Sequence, residues 1–387
     1  MGDSYDERVK RIMDELNHTE PDVVPSMTAM GTYVIGFNDY TALEAEWNIP
    51  QNVENYLNTQ KKLYADCVYT AGVVFDTAFA KAVGSPAHFI AEDGQTIQHL
   101  ASTHMEADEY DKLINDTENF MINELLPRTA TRLQGPYEEK RKAVLEFADH
   151  LQKKLWEWSE IERRLKEEYN RPVMAPSVNV YPPLDLIFDY YRGFDGIVKD
   201  MRRCPQKLLD ACEAVLPFLW QGMGIPDGDD VVTPAMPPHA TMMHIPTFIS
   251  PKQFEKFFLP TYSKMINRVF ETGGTMIMFL EGVWANKADW LNSLPKNKVF
   301  GLVEGDEPFE FKKLVGDNIC LIGGMRLQTL KYGTKEACIE EAKKVIDNMA
   351  PGGGYIFGTS RELLTKTDLN YENLCATHAF VHEYAVK

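Results

Sequence analysis

At 387 residues the chain has room for one large domain or two ordinary ones, and 44% hydrophobic content excludes wholesale disorder. Against 57 acidic side chains stand 40 basic ones, a formal charge of −17. That balance excludes a general binder of nucleic acid or anionic membrane, since both demand excess Lys and Arg.

The six cysteines, Cys67, Cys204, Cys212, Cys320, Cys338 and Cys375, contain no C-x-x-C pair. They read as neither a disulfide framework nor a zinc ribbon. Met1 to Glu20 is strongly charged and lacks an apolar centre, so it does not read as a signal peptide. No apolar run approaches the roughly 18–20 residues that a bilayer span needs. A cytoplasmic location is expected.

Within an N-terminal segment 1–20, the first predicted element is an amphipathic helix over 4–17, with Val9, Ile12, Met13 and Leu16 on its apolar side. Gly72-Val73-Val74-Phe75 is a short apolar run ending on Asp76, either an acid at a strand end or the cap of a helix. His88-Phe89-Ile90-Ala91 reads as a strand. Residues 137–170 read as one long amphipathic helix, because Val144, Ala148, Leu151, Leu155, Trp158, Leu165 and Tyr169 recur at helical spacing. The stripe is expected to pack on the domain wall; a lid or dimer arm is the alternative.

The second half alternates regularly. Thr275–Leu280, Val299–Val303, Ile319–Ile322 and Tyr355–Phe357 are apolar runs suited to strands buried on both faces. Helical patterns over Lys252–Glu271, Lys287–Leu294, Pro308–Leu314 and Thr334–Met349 precede, separate or follow them, the first opened by the cap Ser250-Pro251. Such alternation implies right-handed parallel crossovers, and its persistence to the end predicts a single (β/α)8 barrel spanning 1–387. No G-x-G-x-x-G follows a strand, which disfavours dinucleotide binding.

In a parallel barrel the chemistry collects at the carboxyl ends of strands. Glu281 follows one predicted strand, and Glu304 and Asp306 follow the next; His239 and His244 flank the run Ala240–Met243. Glu281, Asp306 and His244 are therefore the candidate acids and bases. Glu281, His239, His244 and Glu304 are candidate metal ligands through oxygen and nitrogen. For any one such Glu, a helix cap is the competing reading. Asp76, Tyr181 and Trp284 are candidate substrate contacts, with Phe188, Tyr190 and Tyr191 as further aromatics. Pro351-Gly352-Gly353-Gly354 could cradle an anion through backbone amides, although such turns usually serve geometry alone.

Several ordered segments carry a family likeness: Tyr5-Asp6-Glu7-Arg8-Val9, Asp22-Val23-Val24-Pro25, Arg192-Gly193-Phe194, and Phe248-Ile249-Ser250-Pro251. They continue through Phe279-Leu280-Glu281-Gly282, Glu304-Gly305-Asp306, Ile322-Gly323-Gly324, Tyr332-Gly333-Thr334 and Gly352-Gly353-Gly354-Tyr355-Ile356. In this order and spacing they resemble the uroporphyrinogen decarboxylase superfamily, which includes the decarboxylase and the corrinoid-dependent methyltransferases. The resemblance implies a barrel, usually homodimeric, with its site at the mouth.

Within it, the decarboxylase holds porphyrinogen carboxylates with an arginine-containing motif after its first strand, whereas Ser26–Tyr33 has no Arg or Lys. Its late histidine is replaced here by Gly358-Thr359-Ser360. Thiol-activating methyltransferases hold zinc with His-x-Cys and a distant Cys; these align with Phe279, Glu281 and the neighbourhood of Ser360 or Arg361. Oxygen ligands or acids at Glu281, Glu304 or Asp306 suit an oxygen-linked methyl donor better. The resemblance thus implies an O-demethylase methyltransferase acting on an aryl methyl ether, with zinc at the carboxylate and histidine cluster. No D-x-H-x-x-G motif occurs, so the corrinoid is expected on a separate protein. A porphyrinogen-type decarboxylase and a non-catalytic binding protein on the same fold are the alternatives.

Overall fold

A computed structural model describes residues 3–70, 77–99, 103–174, 178–223 and 239–384. Two short strands, β1 (Met27–Thr28) and β2 (Cys67–Val68), pair in parallel. The strand expected at His88 is β3 (His88–Ile90), which turns back on β4 (Ile97–His99) as a separate antiparallel hairpin. The principal sheet holds β5 (Val178–Asn179), β6 (His239–Met242), β7 (Met276–Leu280), β8 (Val299–Val303), β9 (Cys320–Met325) and β10 (Tyr355–Thr359). These six run parallel in chain order. Parallel bridges join Ser26 to Phe357 and Met30 to Leu363 on one side, and Val68 to Val173 on the other. The arrangement is consistent with the expected barrel, although the described ladder does not itself close into one.

β7, β8 and β10 are buried along their whole length, as their composition requires. Successive side chains alternate between two cores. Ile277, Phe279, Phe300, Leu302, Cys320, Ile322 and Ile356 meet Met27, Ala29, Cys67, Tyr69, Met174 and Ala240 in one inner cluster. Met276, Met278, Leu280, Val299, Val303, Leu321, Tyr355 and Phe357 face the helices instead. Charged groups are thereby confined to the strand ends.

The helices follow their local signals. Tyr5–Leu16 starts at a Ser4/Glu7 capping box and sends Ile12 and Leu16 into the inner cluster. Ser250 and Gln253 form a second capping box ahead of Pro251–Gln253, a π turn over Phe254–Phe258 and the helix Leu259–Glu271. Pro308–Val315 and Lys335–Met349 lie where the pattern puts them.

The long helix Tyr137–Tyr169 exists, and Leu165 of the expected stripe is buried, but the stripe's N-terminal part is turned outward. Val144, Leu151 and Leu155 are exposed, while Ala143, His150, Lys154, Glu157, Ile161 and Leu165 are buried. The middle of the inward face can be polar because Lys154 and Glu157 neutralise each other at 2.8 Å and Asn52 donates to Glu157. An apolar stripe cannot reveal a buried ion pair on the neighbouring face.

Beneath the sheet, Glu15 is fully buried and accepts the Tyr355 N–H at 3.0 Å. Burial pushes its carboxyl up to about 8. A raised acid penalises folding once the unfolded chain ionises, so the penalty grows as pH rises from the ordinary value toward about 8. Glu15→Gln should therefore gain melting temperature relative to wild type at pH 8.5 and not at pH 5. Thermal melts at the two pH values check this.

Candidate functional site

The carboxyl ends of β6 to β8, together with the segment after β10, surround a cavity of about 360 Å³. Its wall includes His244, Glu281, Glu304, Arg361, Glu362 and Asp368, over a floor of Phe279 and Leu302. That volume lies at the small end of small-molecule sites, roughly 300–1,000 Å³. A second cavity, about 590 Å³, opens beside it and shares Glu304 and Arg361.

His244 sits just past β6 and is fixed from the chain segment after β5. Asp185, fully buried, accepts the backbone N–H groups of His244 at 3.1 Å and Ile245 at 2.9 Å. One helical turn later, Asp189 reaches His244 Nδ1 at 2.9 Å. The Tyr181 hydroxyl donates to the same Asp189 oxygen. The hydrogen bond that Nδ1–H donates to Asp189 pushes the imidazole up to about 9 against the opposing effect of burial. Burial pushes Asp185 up to about 7. His244 is therefore a cation at neutral pH, with a fixed orientation.

Glu281 follows β7 and is half-buried. Burial raises its carboxyl, His244 opposes that shift, and Glu304 and Asp189 add to it. Its backbone carbonyl accepts from the Thr247 hydroxyl at 3.1 Å and the Trp284 indole at 2.8 Å. Glu362 lies across the same cavity, with burial pushing it up to about 7 and Glu281 adding to the shift. The mouth thus holds one imidazolium and carboxyls that retain protons above their usual range.

Several sequence candidates land elsewhere. The carboxylate of Asp306 accepts the backbone N–H groups of Trp284 at 2.7 Å and Ala285 at 3.1 Å, so it braces the loop after β7. Trp284 is fully buried against Phe254 and Trp290 and does not line the cavity. His239 opens β6 in register with Met276 at the start of β7. Five residues of strand then separate it from the level of Glu281, about 16 Å. The four proposed ligands His239, His244, Glu281 and Glu304 therefore cannot surround one ion. Among the described residues no three of His, Cys, Asp or Glu are arranged to hold a metal, so this set does not fit zinc. Gly353 and Gly354 precede β10 at the far end of the sheet, where a Cβ would come within 2.8 and 2.7 Å of His18. They cradle no ligand at the mouth. Asp76 lies outside the described residues. The six thiols are unpaired.

Tyr181 does join the site, through Asp189. The sequence reading overlooked Asp185, Asp189 and Glu362. The available signal was the pair of acids four residues apart within the largely apolar segment Pro183–Tyr190, which marks one helix face.

A family model described as uroporphyrinogen decarboxylase matches residues 134–384, well over half of the chain. The chain belongs to the uroporphyrinogen decarboxylase family. Among solved structures, a methyltransferase from Methanosarcina mazei is similar to this family member, with a TM-score of 0.59 and 15% identity. That match covers 97% of this chain and 98% of the other. At such identity it speaks to fold, and it agrees with the parallel sheet and its mouth. No curated protein matches the chain. Among the described residues no helix is long and apolar enough to cross a membrane.

Asp306→Ala should cost about 1–3 kcal/mol in a urea melt, since it strands two backbone donors. Asp189→Asn should leave the fold intact and drop the His244 titration from about 9 toward the ordinary 6.5. Proton-resolved NMR of the imidazole would show it; an unmoved midpoint would mean that Asp189 is not the cause.

Proposed function

We propose that this family member is a methyltransferase that removes the methyl group of an oxygen-linked donor, an aryl methyl ether, on an eight-stranded barrel. The observation that carries this reading is a small acidic cavity whose imidazole is kept charged by Asp189. When an ether C–O bond breaks, negative charge develops on oxygen. An oriented imidazolium and a carboxyl that keeps its proton are the groups that such an oxygen needs. The acceptor is a reduced corrinoid brought by a separate protein, which supplies the nucleophile for the methyl carbon.

His244 stabilises the departing oxygen, and Glu281 hydrogen-bonds to it from the neighbouring strand end. Tyr181 and Asp189 hold the imidazole in place. The apolar floor of Phe279 and Leu302 suits an aromatic ring and limits access of water to the reacting oxygen. Beside the mouth, Phe188, Phe194 and Phe248 pack together, with Phe194 and Phe248 exposed. An aromatic rim of that kind suits a protein partner delivering the corrinoid. As a homodimer, each copy would act independently at its own mouth.

The decarboxylase alternative is less well supported by electrostatics. Glu281, Glu304, Glu362 and Asp368 line the cavity against His244 and Arg361, which disfavours a polycarboxylate.

The test is reconstitution: the purified protein, a reduced corrinoid protein and a panel of methoxyaromatics. Formation of methyl-cobalt absorbance with stoichiometric phenol is expected. His244→Ala should lower the rate about 10²–10³-fold, as removal of one oxyanion donor does. The contribution of His244, read as the rate ratio of wild type to His244→Ala, should hold below pH 9 and be lost as pH rises through about 9, where the imidazole loses its charge. No methyl transfer to any corrinoid, with turnover of a porphyrinogen instead, would overturn the reading.

A further inference from the structure

Glu362 has no role in the reading so far, yet it is the most constrained carboxyl of the mouth. It lines the 360 Å³ cavity. Its Oε1 is shut off from solvent and has no hydrogen-bond partner among the described residues. An unsatisfied buried carboxyl oxygen is costly, and the cost is relieved by a proton on the carboxyl or by a neighbouring donor. No such donor is present among the described residues. Asp368, on the same wall, shows the contrast: its carboxylate accepts the N–H groups of Leu364 at 2.7 Å and Thr365 at 2.9 Å.

The backbone around Glu362 is held tightly. Leu363 bridges in parallel to Met30, donating to the Ala29 carbonyl at 2.9 Å and accepting from Gly31 N–H at 2.9 Å. The Thr32 hydroxyl donates to the Leu364 carbonyl at 2.6 Å. A Cβ placed on Gly31 would lie 2.6 Å from Glu362 Oε1, closer than van der Waals contact permits. Glycine at position 31 thus makes the space that the carboxyl occupies. Two chain segments far apart in sequence thus enclose Glu362 Oε1 against Gly31, at the edge of a cavity that Glu281 also lines.

We infer that Glu362 is the proton donor of this cavity, delivering its carboxyl proton to the ether oxygen of the bound donor. The inference rests on the methyltransferase reading and extends it. As the methyl–oxygen bond breaks, its electron pair stays on oxygen, while the methyl carbon is taken by the electron pair of the partner's reduced corrinoid. The proton passes from Glu362 to that oxygen, and a neutral phenol leaves. Glu362 remains as a carboxylate and regains a proton from water. His244 and Glu281 stabilise the charge during the transfer.

Two measurements test this. Infrared spectra of wild type and Glu362→Gln at pH 6 should differ by one protonated-carboxyl stretch; its absence from wild type overturns the proposal, whatever the enzyme does. Methyl transfer is then compared between an ether with a poor phenolate leaving group and a nitro-substituted one with a good one. Glu362→Gln should slow the first about 10²–10⁴-fold and the second hardly at all. Equal losses overturn the donor role, because a merely structural residue would not discriminate between leaving groups. Gly31→Ala keeps the carboxyl but displaces it, and should show the same discrimination in weaker form, covering the case of a poorly folding Glu362→Gln. If wild type demethylates neither ether, the methyltransferase reading falls, while the infrared band still decides whether Glu362 holds the proton.

Discussion

Strands buried on both faces have no place for a charge except at their ends. β7, β8 and β10 are buried throughout, with Ile277, Phe300 and Ile356 in one core and Met276, Val299 and Tyr355 in the other. Every ionisable group that the sheet carries is pushed to its two rims. The lower rim receives Glu15, accepting from Tyr355, and the upper rim receives Glu281, Glu304 and, after β10, Glu362. The same low-dielectric packing that stabilises the sheet raises the carboxyls next to it. Fold and chemistry here have a single physical origin.

The upper rim does not treat its acids alike. Asp306 and Asp368 are satisfied by backbone donors and serve to shape loops. Asp185 anchors the backbone of His244, and Asp189 holds its ring. Glu281 and Glu362 have carboxyls facing the cavity without such donors. Hydrogen-bond supply, more than residue type, separates the acids that build the mouth from those free to act in it. That criterion also explains why Asp306 looked as suitable as Glu281 when only its place after a strand was visible.

What could be read in the sequence was whatever repeats locally. The runs Met276–Leu280 and Val299–Val303, the caps Ser4 and Ser250, and the helix Lys335–Met349 all depend on neighbours within a few residues. The placement of Glu281 and His244 at one rim followed from strand ends alone. The rest depended on contacts distant in sequence. Glu362 meets Gly31, and His244 meets Asp189, through partners that no spacing rule connects. His239 was misassigned because a run bounded by two histidines does not say which end faces the mouth. The long helix was turned wrongly over its N-terminal part because the buried face there carries Lys154 and Glu157, an ion pair that hydrophobic periodicity treats as surface.

An acidic cavity is at first sight a poor place to generate an oxyanion, since each ionised carboxylate nearby opposes the new charge. The opposition changes sign when the carboxyls keep their protons. Burial and mutual repulsion raise Glu281 and hold Glu362 near 7, so crowding converts repulsion into a store of transferable protons. The imidazolium of His244 tolerates that crowding because Asp189 sustains its charge, and in turn it opposes the rise of Glu281. On the proposed reading, a neutral ether would enter such a site without charge repulsion and leave as a neutral phenol. A polycarboxylate would raise the same carboxyls further and would meet only Arg361 as an additional cation on the cavity wall. The balance of protons at the mouth therefore supports the proposal of a substrate that begins and ends uncharged at the reacting oxygen.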